Sequence, residues 1–472
     1  MARSCLVRLS DEELERLSTN DLIAIIRRLE ARLEALEREA RERMKSKATF
    51  SKGARKANPS KPGRKPGKGR FCNRPEPQPQ AQDIVEDIEV SLAPEQQLCP
   101  VCVEPLSITR EMATIEDTPS RPTRVIRRFT VEVGRCLQCG QVVRGSHPDL
   151  GACQSGANAH QLGPNVKAQA LALHYHSGLA LCKVPHAIAQ STGIKLTQSA
   201  LTQAACTLSD QGALLDKHYM DLKEHVATSA VVNTDDTGWR INATLAFVMG
   251  FFTTDTAYYQ IRYRHRHQEV LEVLRPGVKR MIGTDRGSSY EASVFDQEEM
   301  QKCLSHLLKN LSEVEKQKTG RAKTFARHLK GLLREGLELW RSYQDGKIGL
   351  PAYRRRGAKL QNEINHHLRD RVLSDEDNQR LLDGIGYQED RGRVTLFLRC
   401  PEIEPTNNRA ERGLRPAVIA RKVSHCSKND RGAKAYAVMK TLFVTLSLRT
   451  ESVVAAFADL LRGHPLPHAA KR

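Results

Sequence analysis

Two apolar runs that each close on an aspartate constrain this chain more than any other feature. SAVVNTD ends on Asp235, and VKRMIGTD ends on Asp285. Between them lie LAFVMGFFT and AYYQIRYR, which read as strands, and HQEVLEVLR, which reads as a helix. The order is therefore strand, strand, strand, helix, strand, with an acid at or just past the end of the first and fourth strands.

That is the core order of a ribonuclease-H-like α/β fold, in which the first and fourth strands lie side by side and bring both carboxylates to one edge of the sheet. A third acid follows far downstream. Residues of about 305–390 are charged, helical in period and poor in strand formers, and read as an all-helical insertion. RVTLFLRC then reads as a strand-like piece. PTNNRAERGLRP sets out a short helix, capped by Thr406 or Asn407 and stopped by Pro416, with Glu411 in its first two turns. Among 55 acidic residues an Asp–Asp–Glu order arises by chance. The weight of Asp235, Asp285 and Glu411 comes from where they sit. Polynucleotidyl transfer uses two divalent ions about 3.5–4 Å apart. Hard ions such as Mg2+ or Mn2+ take carboxylate oxygens, and two strand-end aspartates with one helix glutamate meet that need. The competing reading is three unrelated surface acids.

The upstream sequence carries other signals. Leu22, Ile26, Leu29, Leu33 and Leu36 recur at heptad spacing, as in a short coiled coil that self-associates or an amphipathic helix packed on its own protein. KSKATFSKGARKANPSKPGRKPGKGR has ten basic residues and no acidic one, and Pro and Gly break any helix in it. Its Arg64 and Lys65 suit a DNA minor groove, or unselective phosphate contact. Cys99 and Cys102 form one CxxC pair, and Cys136 and Cys139 a second, 33 residues on. Two such knuckles offer four thiolates to a structural zinc, as in a zinc ribbon, with no coordination position left open. VPHAIAQSTGIKLTQSALTQAAC spaces two helices about a turn at Gly193, as either a DNA-reading helix-turn-helix or plain helical packing.

Lys and Arg exceed Asp and Glu by 74 to 55, a formal charge of +19. This favours a polyanionic partner, although a basic surface alone would also account for it. No apolar run is long enough to span a membrane, and the N-terminus lacks the apolar segment of a secretory signal, so an intracellular chain is expected.

Several of these elements together resemble the transposases of the insertion sequence 66 family. They are the leucine-rich helix, the basic linker, the paired CxxC module, NTDDTGWR, the TD of GTDRGSSY, CLSHLL and above all EPTNNRAERGLRPAVIARK. The resemblance covers roughly residues 10–460. It implies a DD(E) domain acting on transposon ends, with catalytic and magnesium-binding roles falling on Asp235, Asp285 and Glu411. It further implies a bacterial, cytoplasmic, nucleoid-associated protein that works as a homo-oligomer, with small accessory proteins encoded by the same element. Three motifs depart from the family pattern. Asp-Asp-Thr stands at 235–237 for Asp-Glu-Thr, Asp-Arg-Gly at 285–287 for Asp-Gly-Tyr, and Cys-Leu-Ser-His at 303–306 for Cys-Trp-Ala-His.

Cys303 and His306 lie one helical turn apart and share a face. They could orient the insertion, touch DNA near the cut or bind a metal, though two ligands are too few for a closed metal site. Asn407, Asn408, Arg409, Arg412 and Arg415 suit contacts to DNA phosphates. The expected organisation is multidomain α+β. It comprises a helical self-association segment (1–45), a basic flexible linker (46–83), a zinc-ribbon-like module (84–147) and a helical DNA-binding region (160–228). A ribonuclease-H-like core with its insertion (229–431) and a C-terminal helical region and tail (432–472) complete it. The expected reaction is divalent-metal-dependent cleavage at transposon ends followed by transfer of the 3′-hydroxyl strand into target DNA. The alternatives are a zinc-containing DNA-binding regulator without catalysis, and a nuclease that cuts but does not join.

Overall fold

A computed structural model describes Arg27, most of residues 124–149, and residues 162–468 apart from 286, 370, 371 and 425. The leucine seam, the linker with Arg64 and Lys65, and Cys99, Cys102 and Cys136 lie outside the described residues. The chain divides into two units, Met1–Arg121 and Pro122–Arg472, and the second is described below.

The second unit begins with an antiparallel hairpin, β1 (Val133–Arg135) and β2 (Val142–Arg144), with an exposed Cys139 in the turn between them. α1 (Pro164–Tyr175) opens on a proline whose fixed φ suits the first helical position. α2 (Val184–Thr192) closes on Gly193, left-handed at φ 70°, where glycine carries no Cβ penalty. α3 (Gln198–Ser209) opens at Thr197, whose Oγ1 accepts from the Ala200 N–H at 3.2 Å. The two-helix spacing about Gly193 is thus present. α4 (Leu214–Thr228) leads into the sheet.

The sheet holds β3 (Val231–Ile241), β4 (Thr244–Phe252), β5 (Ala257–Arg262), β6 (Met281–Thr284) and β7 (Glu299–Lys302), in the order β5-β4-β3-β6-β7. The short helix α5 (His267–Leu271) lies between β5 and β6. β3, β4 and β5 are antiparallel neighbours, whereas β3, β6 and β7 run parallel. The first and fourth strands of the sheet are adjacent, as the sequence order anticipates.

Some local expectations are corrected. β3 does not stop at Asp235 but continues to Ile241, because residues 233–241 pair with β4 across a two-residue turn. In that turn Asn242 and Ala243 both have positive φ, 45° and 68°, the sense that matches strand twist. The sequence pattern does not mark β7, a four-residue strand without β-branched residues whose Met300, Gln301 and Lys302 are nevertheless buried. RVTLFLRC is not a strand. Leu396–Arg399 form a single helical turn with Leu396, Phe397 and Leu398 all buried, because a short apolar run carries no period and packing decides its form.

The helical segment after β7 comprises α6 (Leu304–Gln317), α7 (Thr324–Gln344), α8 (Leu350–Leu368) and α9 (Glu376–Asp390), followed by the turn α10 (Leu396–Arg399). These elements share one apolar core, against which Val231 and Met281 of the sheet pack. α11 (Asn408–Ser424) does not stop at Pro416 but runs through it. The lost hydrogen bond and ring clash cost about 3 kcal/mol in an isolated helix. Here the buried face of Ala410, Leu414 and Ala417 offsets that cost.

α12 (Asp430–Arg449) covers the free edge of β5. Thr441 Oγ1 accepts from the Tyr259 N–H at 2.9 Å, and Thr445 Oγ1 from the Ala257 N–H at 3.1 Å. Two threonines thereby satisfy backbone groups that an open edge would leave unpaired. α13 (Val453–Leu461) follows. One hydrophobic core runs from Ala168 on α1 through the sheet to Leu460 on α13, so the flanking helices and the sheet bury each other's apolar faces. Among the described residues, no helix is long and apolar enough to cross a membrane.

Candidate active site

The parallel ladder between β3 and β6 pairs Val231 with Met281, Val232 with Ile282 and Asn233 with Gly283, and stops there. Two residues further along each strand stands an aspartate, Asp235 and Asp285. Neighbouring strands lie about 4.8 Å apart, so matching positions bring the two carboxylates close together. Asp285 is fixed by its own loop, for its Oδ1 accepts from the Gly287 N–H at 2.8 Å. A Cβ at Gly287 would sit 2.9 Å from that oxygen, which explains a glycine there.

Glu411 comes from α11, in its first turn. Asn407, just before the helix, holds that end in place. Its Nδ2 donates to the Thr234 carbonyl at 2.8 Å, and its Oδ1 accepts from Asn233 Nδ2 at 3.2 Å. Asn233 in turn lies over Gly283, where a Cβ would come within 2.3 Å of Asn233 Nδ2. The Asn of NTD, the Gly of GTD and the first Asn of TNN therefore interlock, and that lock registers α11 against β3. Asn407, expected among the DNA contacts, is 1 % exposed with both ends of its amide engaged in holding α11 to β3. Further along α11, the Tyr259 hydroxyl donates to the Gly413 carbonyl at 2.5 Å, and a Cβ on Gly413 would come within 2.2 Å of Phe252 Cε1. The close approach of helix to sheet needs glycine there.

The electrostatics report the convergence. Asp235 is pushed up to about 7, first by burial, then by the negative charge of Asp285, with Asp236 and Glu411 adding in the same direction. Buried like charges disfavour ionisation. Asp236 behaves differently. Burial pushes it up too, and Asp285 adds to that, but His265 lies 3.4 Å away and pulls the other way. Of the two adjacent aspartates, Asp236 has a histidine partner that offsets its burial, whereas the charges acting on Asp235 are those of other acids, Asp285, Asp236 and Glu411.

Residues that the sequence patterns pass over complete the site. Tyr290 is buried, its hydroxyl 2.9 Å from Thr234 Oγ1, and burial raises its pKa. Lys302 of β7 has a fully buried side chain. Its Nζ lies 2.7 Å from Glu291 Oε1 and donates to the Asp285 carbonyl at 3.2 Å. Arg393, also buried, reaches Glu291 Oε2 at 3.2 Å. A Lys–Glu–Arg network, its two basic side chains buried and Glu291 partly exposed, thus ties the Asp285 loop to β7 and to the end of the helical segment. Nothing in EMQK or RGRV marks these residues in advance, because a basic residue at such a position ordinarily reads as surface.

The structure also gathers Cys303, His306 and Glu411, with one ligand atom from each within 4.8 Å of the others. Asp235 and Asp285 are not in that group. Cys303 is buried and accepts from the Asn407 N–H at 3.2 Å, while His306 and Glu411 are part-exposed. Arg409 is paired with Glu404 at 2.7 Å, whereas Asn408, Arg412 and Arg415 are exposed.

No curated protein matches the chain. The family described as "Transposase IS66 family" matches residues 159–435, more than half of the chain, and that span contains the sheet, the helical segment, all three candidate acids and the Cys303–His306 pair. On that match the chain belongs to the IS66 family of transposases.

Proposed function

We propose that the chain is a DD(E) transposase that cuts the ends of its element and joins the freed 3′-hydroxyl strand to target DNA, with Asp235, Asp285 and Glu411 as its catalytic acids. The observation that carries this reading is the meeting of three acids: the part-exposed Asp235 carboxyl is pushed up to about 7 by burial and by the charges of Asp285 and Glu411. Clustered carboxylates that repel one another past the end of the β3–β6 ladder form a site that a divalent cation would relieve. The strand order β5-β4-β3-β6-β7, with the antiparallel hairpins on one side and the parallel pair on the other, is that of a ribonuclease-H-like sheet and supports the same reading.

The donor set fits Mg2+ or Mn2+, since all three side chains offer hard carboxylate oxygens. When bound, such ions activate the attacking water or 3′-hydroxyl and stabilise the leaving oxygen in an in-line displacement. The chain's own contributions follow from its geometry. The β3–β6 ladder fixes Asp235 beside Asp285, and the Gly287 N–H and Lys302 Nζ hold the Asp285 loop. Asn407 sets the start of α11, and with it Glu411. Exposed Arg412, Arg415 and Asn408 on the same helix suit phosphate contacts that place DNA without reading it. Arg64 and Lys65 of the linker and the α2–α3 pair are further DNA contacts in this reading, consistent with the charge of +19. Cys99, Cys102, Cys136 and Cys139 would hold a structural zinc, and the leucine seam would join protomers.

The test uses labelled DNA carrying the ends of the element, separate target DNA and magnesium. Joined product supports the transposase, cut product alone makes the chain a nuclease, and binding alone makes it a regulator. Asp235→Asn, Asp285→Asn and Glu411→Gln should each abolish cutting and joining and leave end binding largely intact. Asp236→Asn should retain more activity than Asp235→Asn. Cleavage by all three triad variants would overturn the assignment.

A further inference from the structure

Glu411 sits between two sets of donors of different chemistry. On one side are the carboxylates of Asp235 and Asp285, and on the other Cys303 and His306. We propose that Cys303, His306 and Glu411 form a site for a transition-metal ion of the zinc class, distinct from the magnesium site and sharing Glu411 with it. The metal site itself stands on geometry alone. Only the sharing of Glu411 rests on the function proposed above.

A thiolate, an imidazole and a carboxylate are a zinc donor set, and a hard ion such as magnesium does not select sulfur. Zinc–ligand bonds of about 2.0–2.3 Å put tetrahedral ligand atoms about 3.3–3.8 Å apart. The three atoms already lie within 4.8 Å of one another. His306 Nδ1 and Glu411 Oε1 are 4.0 Å apart, and their side chains are 46 % and 42 % exposed, so rotation of these two side chains can close the remaining gap. Three protein ligands leave one coordination position open, unlike the four-thiolate pattern upstream.

Cys303 is the fixed member. It is buried, its N–H donates to the Thr284 carbonyl at 2.9 Å, and its Sγ accepts from the Asn407 N–H at 3.2 Å. A backbone N–H aimed at sulfur is the kind of outer-shell contact that orients a metal-binding thiolate. Two helices, α6 and α11, begin at this point. Their starts are pinned together by the Leu304 N–H, which donates to the Pro405 carbonyl at 3.0 Å. Helix N-termini oppose a bare cation. A divalent ion bound by two anionic donors is formally neutral, and that removes the conflict. An ion held here would draw Glu411 away from the aspartates, so zinc and magnesium would compete for one side chain.

Full-length protein, stripped of metal by a chelator, is titrated with zinc in a metal buffer, and bound equivalents and affinity are read. Wild type should hold one equivalent that Cys303→Ser, His306→Ala and Glu411→Gln lose or bind roughly 100-fold more weakly. Any zinc on the upstream CxxC cysteines is common to all variants and subtracts out. Cys303 is buried, so Cys303→Ser could fail to fold. His306→Ala, at a part-exposed position, carries the test once its circular dichroism matches wild type. With cobalt in place of zinc, part of the thiolate-to-metal charge-transfer absorption should disappear in Cys303→Ser. Equal stoichiometry and affinity in wild type and His306→Ala would overturn the site and leave the transposase reading untouched. Asp235→Asn should keep the zinc equivalent while losing cleavage; if it still cuts, Asp235 is not one of the catalytic acids and the zinc site stands.

Discussion

The two aspartates and the glutamate are held by different kinds of scaffold. Asp235 and Asp285 stand just past the end of a parallel ladder, so backbone hydrogen bonds between β3 and β6 set their spacing. Glu411 rides on α11, which reaches the sheet through side chains: the Asn407 amide, the Tyr259 hydroxyl, and the contact of Gly413 with Phe252. A ladder is insensitive to any single side chain, whereas a helix docked by a few contacts is not. The aspartate half of the site should therefore resist substitutions nearby, and the glutamate half should not. Glu411 is also the acid that can turn to a second set of donors.

The largest effect that would break this comparison comes from Lys302. Lys302→Met removes a fully buried cation from Glu291 and from the Asp285 carbonyl. Breaking a buried pair from one side costs about 3–5 kcal/mol, and Arg393 remains near Glu291 to hold the loss toward the lower figure. Urea denaturation should show that loss, while cleavage per folded molecule falls less than about tenfold, or 1.4 kcal/mol. A much larger fall in cleavage would mean that the aspartates depend on side-chain support after all.

The next effect separates charge from shape at Asp235. Its folded-state pKa of about 7 lies above the ordinary 3.8. For a raised carboxyl the stabilising contribution is fully present below pH 3.8 and is lost as pH rises through about 7. Metal-free wild type should thus lose stability between about pH 4 and 8, and Asp235→Asn should lose less. At pH 8 the variant should be more stable by about 2–4 kcal/mol, a rough figure for a part-exposed group. Thermal unfolding in chelator at pH 5 and pH 8 reads the difference. Identical pH dependence in the two proteins would refute the convergence of charges on Asp235.

The smallest loss of stability should bring the larger loss of function. Gly413→Ala places a methyl within 2.2 Å of Phe252 Cε1, so helix or ring must shift. Overpacking of this kind costs about 1–3 kcal/mol. Displacing Glu411 by about 1 Å should lower cleavage roughly 100-fold. Comparing Gly413→Ala with Lys302→Met sharpens the contrast, because the less destabilised protein should be the less active one.

Much of this site was legible in residues near one another in sequence. The runs carrying NTD and GTD read as strands and NRAERGLRP as a helix, because local period needs no tertiary information, although β3 continues past Asp235 to Ile241. Gly193 and Thr197 likewise marked their helix ends through backbone preference and capping. The misreadings share a cause. β7 is polar because its side chains are satisfied by Glu291 in the preceding loop and by Val394 and Phe397, 93 and 96 residues from Gln301. Leu396–Leu398 are apolar without period, so burial beside α7 and α8 chose a helical turn. Pro416 reads as a stop by propensity, and packing overrode it.

By itself, then, the sequence determined the order of β3 to β6, the two runs that carry the aspartates, and the helix that carries the third acid. Only the tertiary structure decided which of them meet. Asn233 and Asn407, 174 residues apart, bond across the sheet; Cys303 and His306 come to lie beside Glu411; and Lys302 is buried under Asp285. The physical reason is that propensity and periodicity act over a few residues. The partner that makes a buried polar side chain tolerable can come from anywhere in the chain.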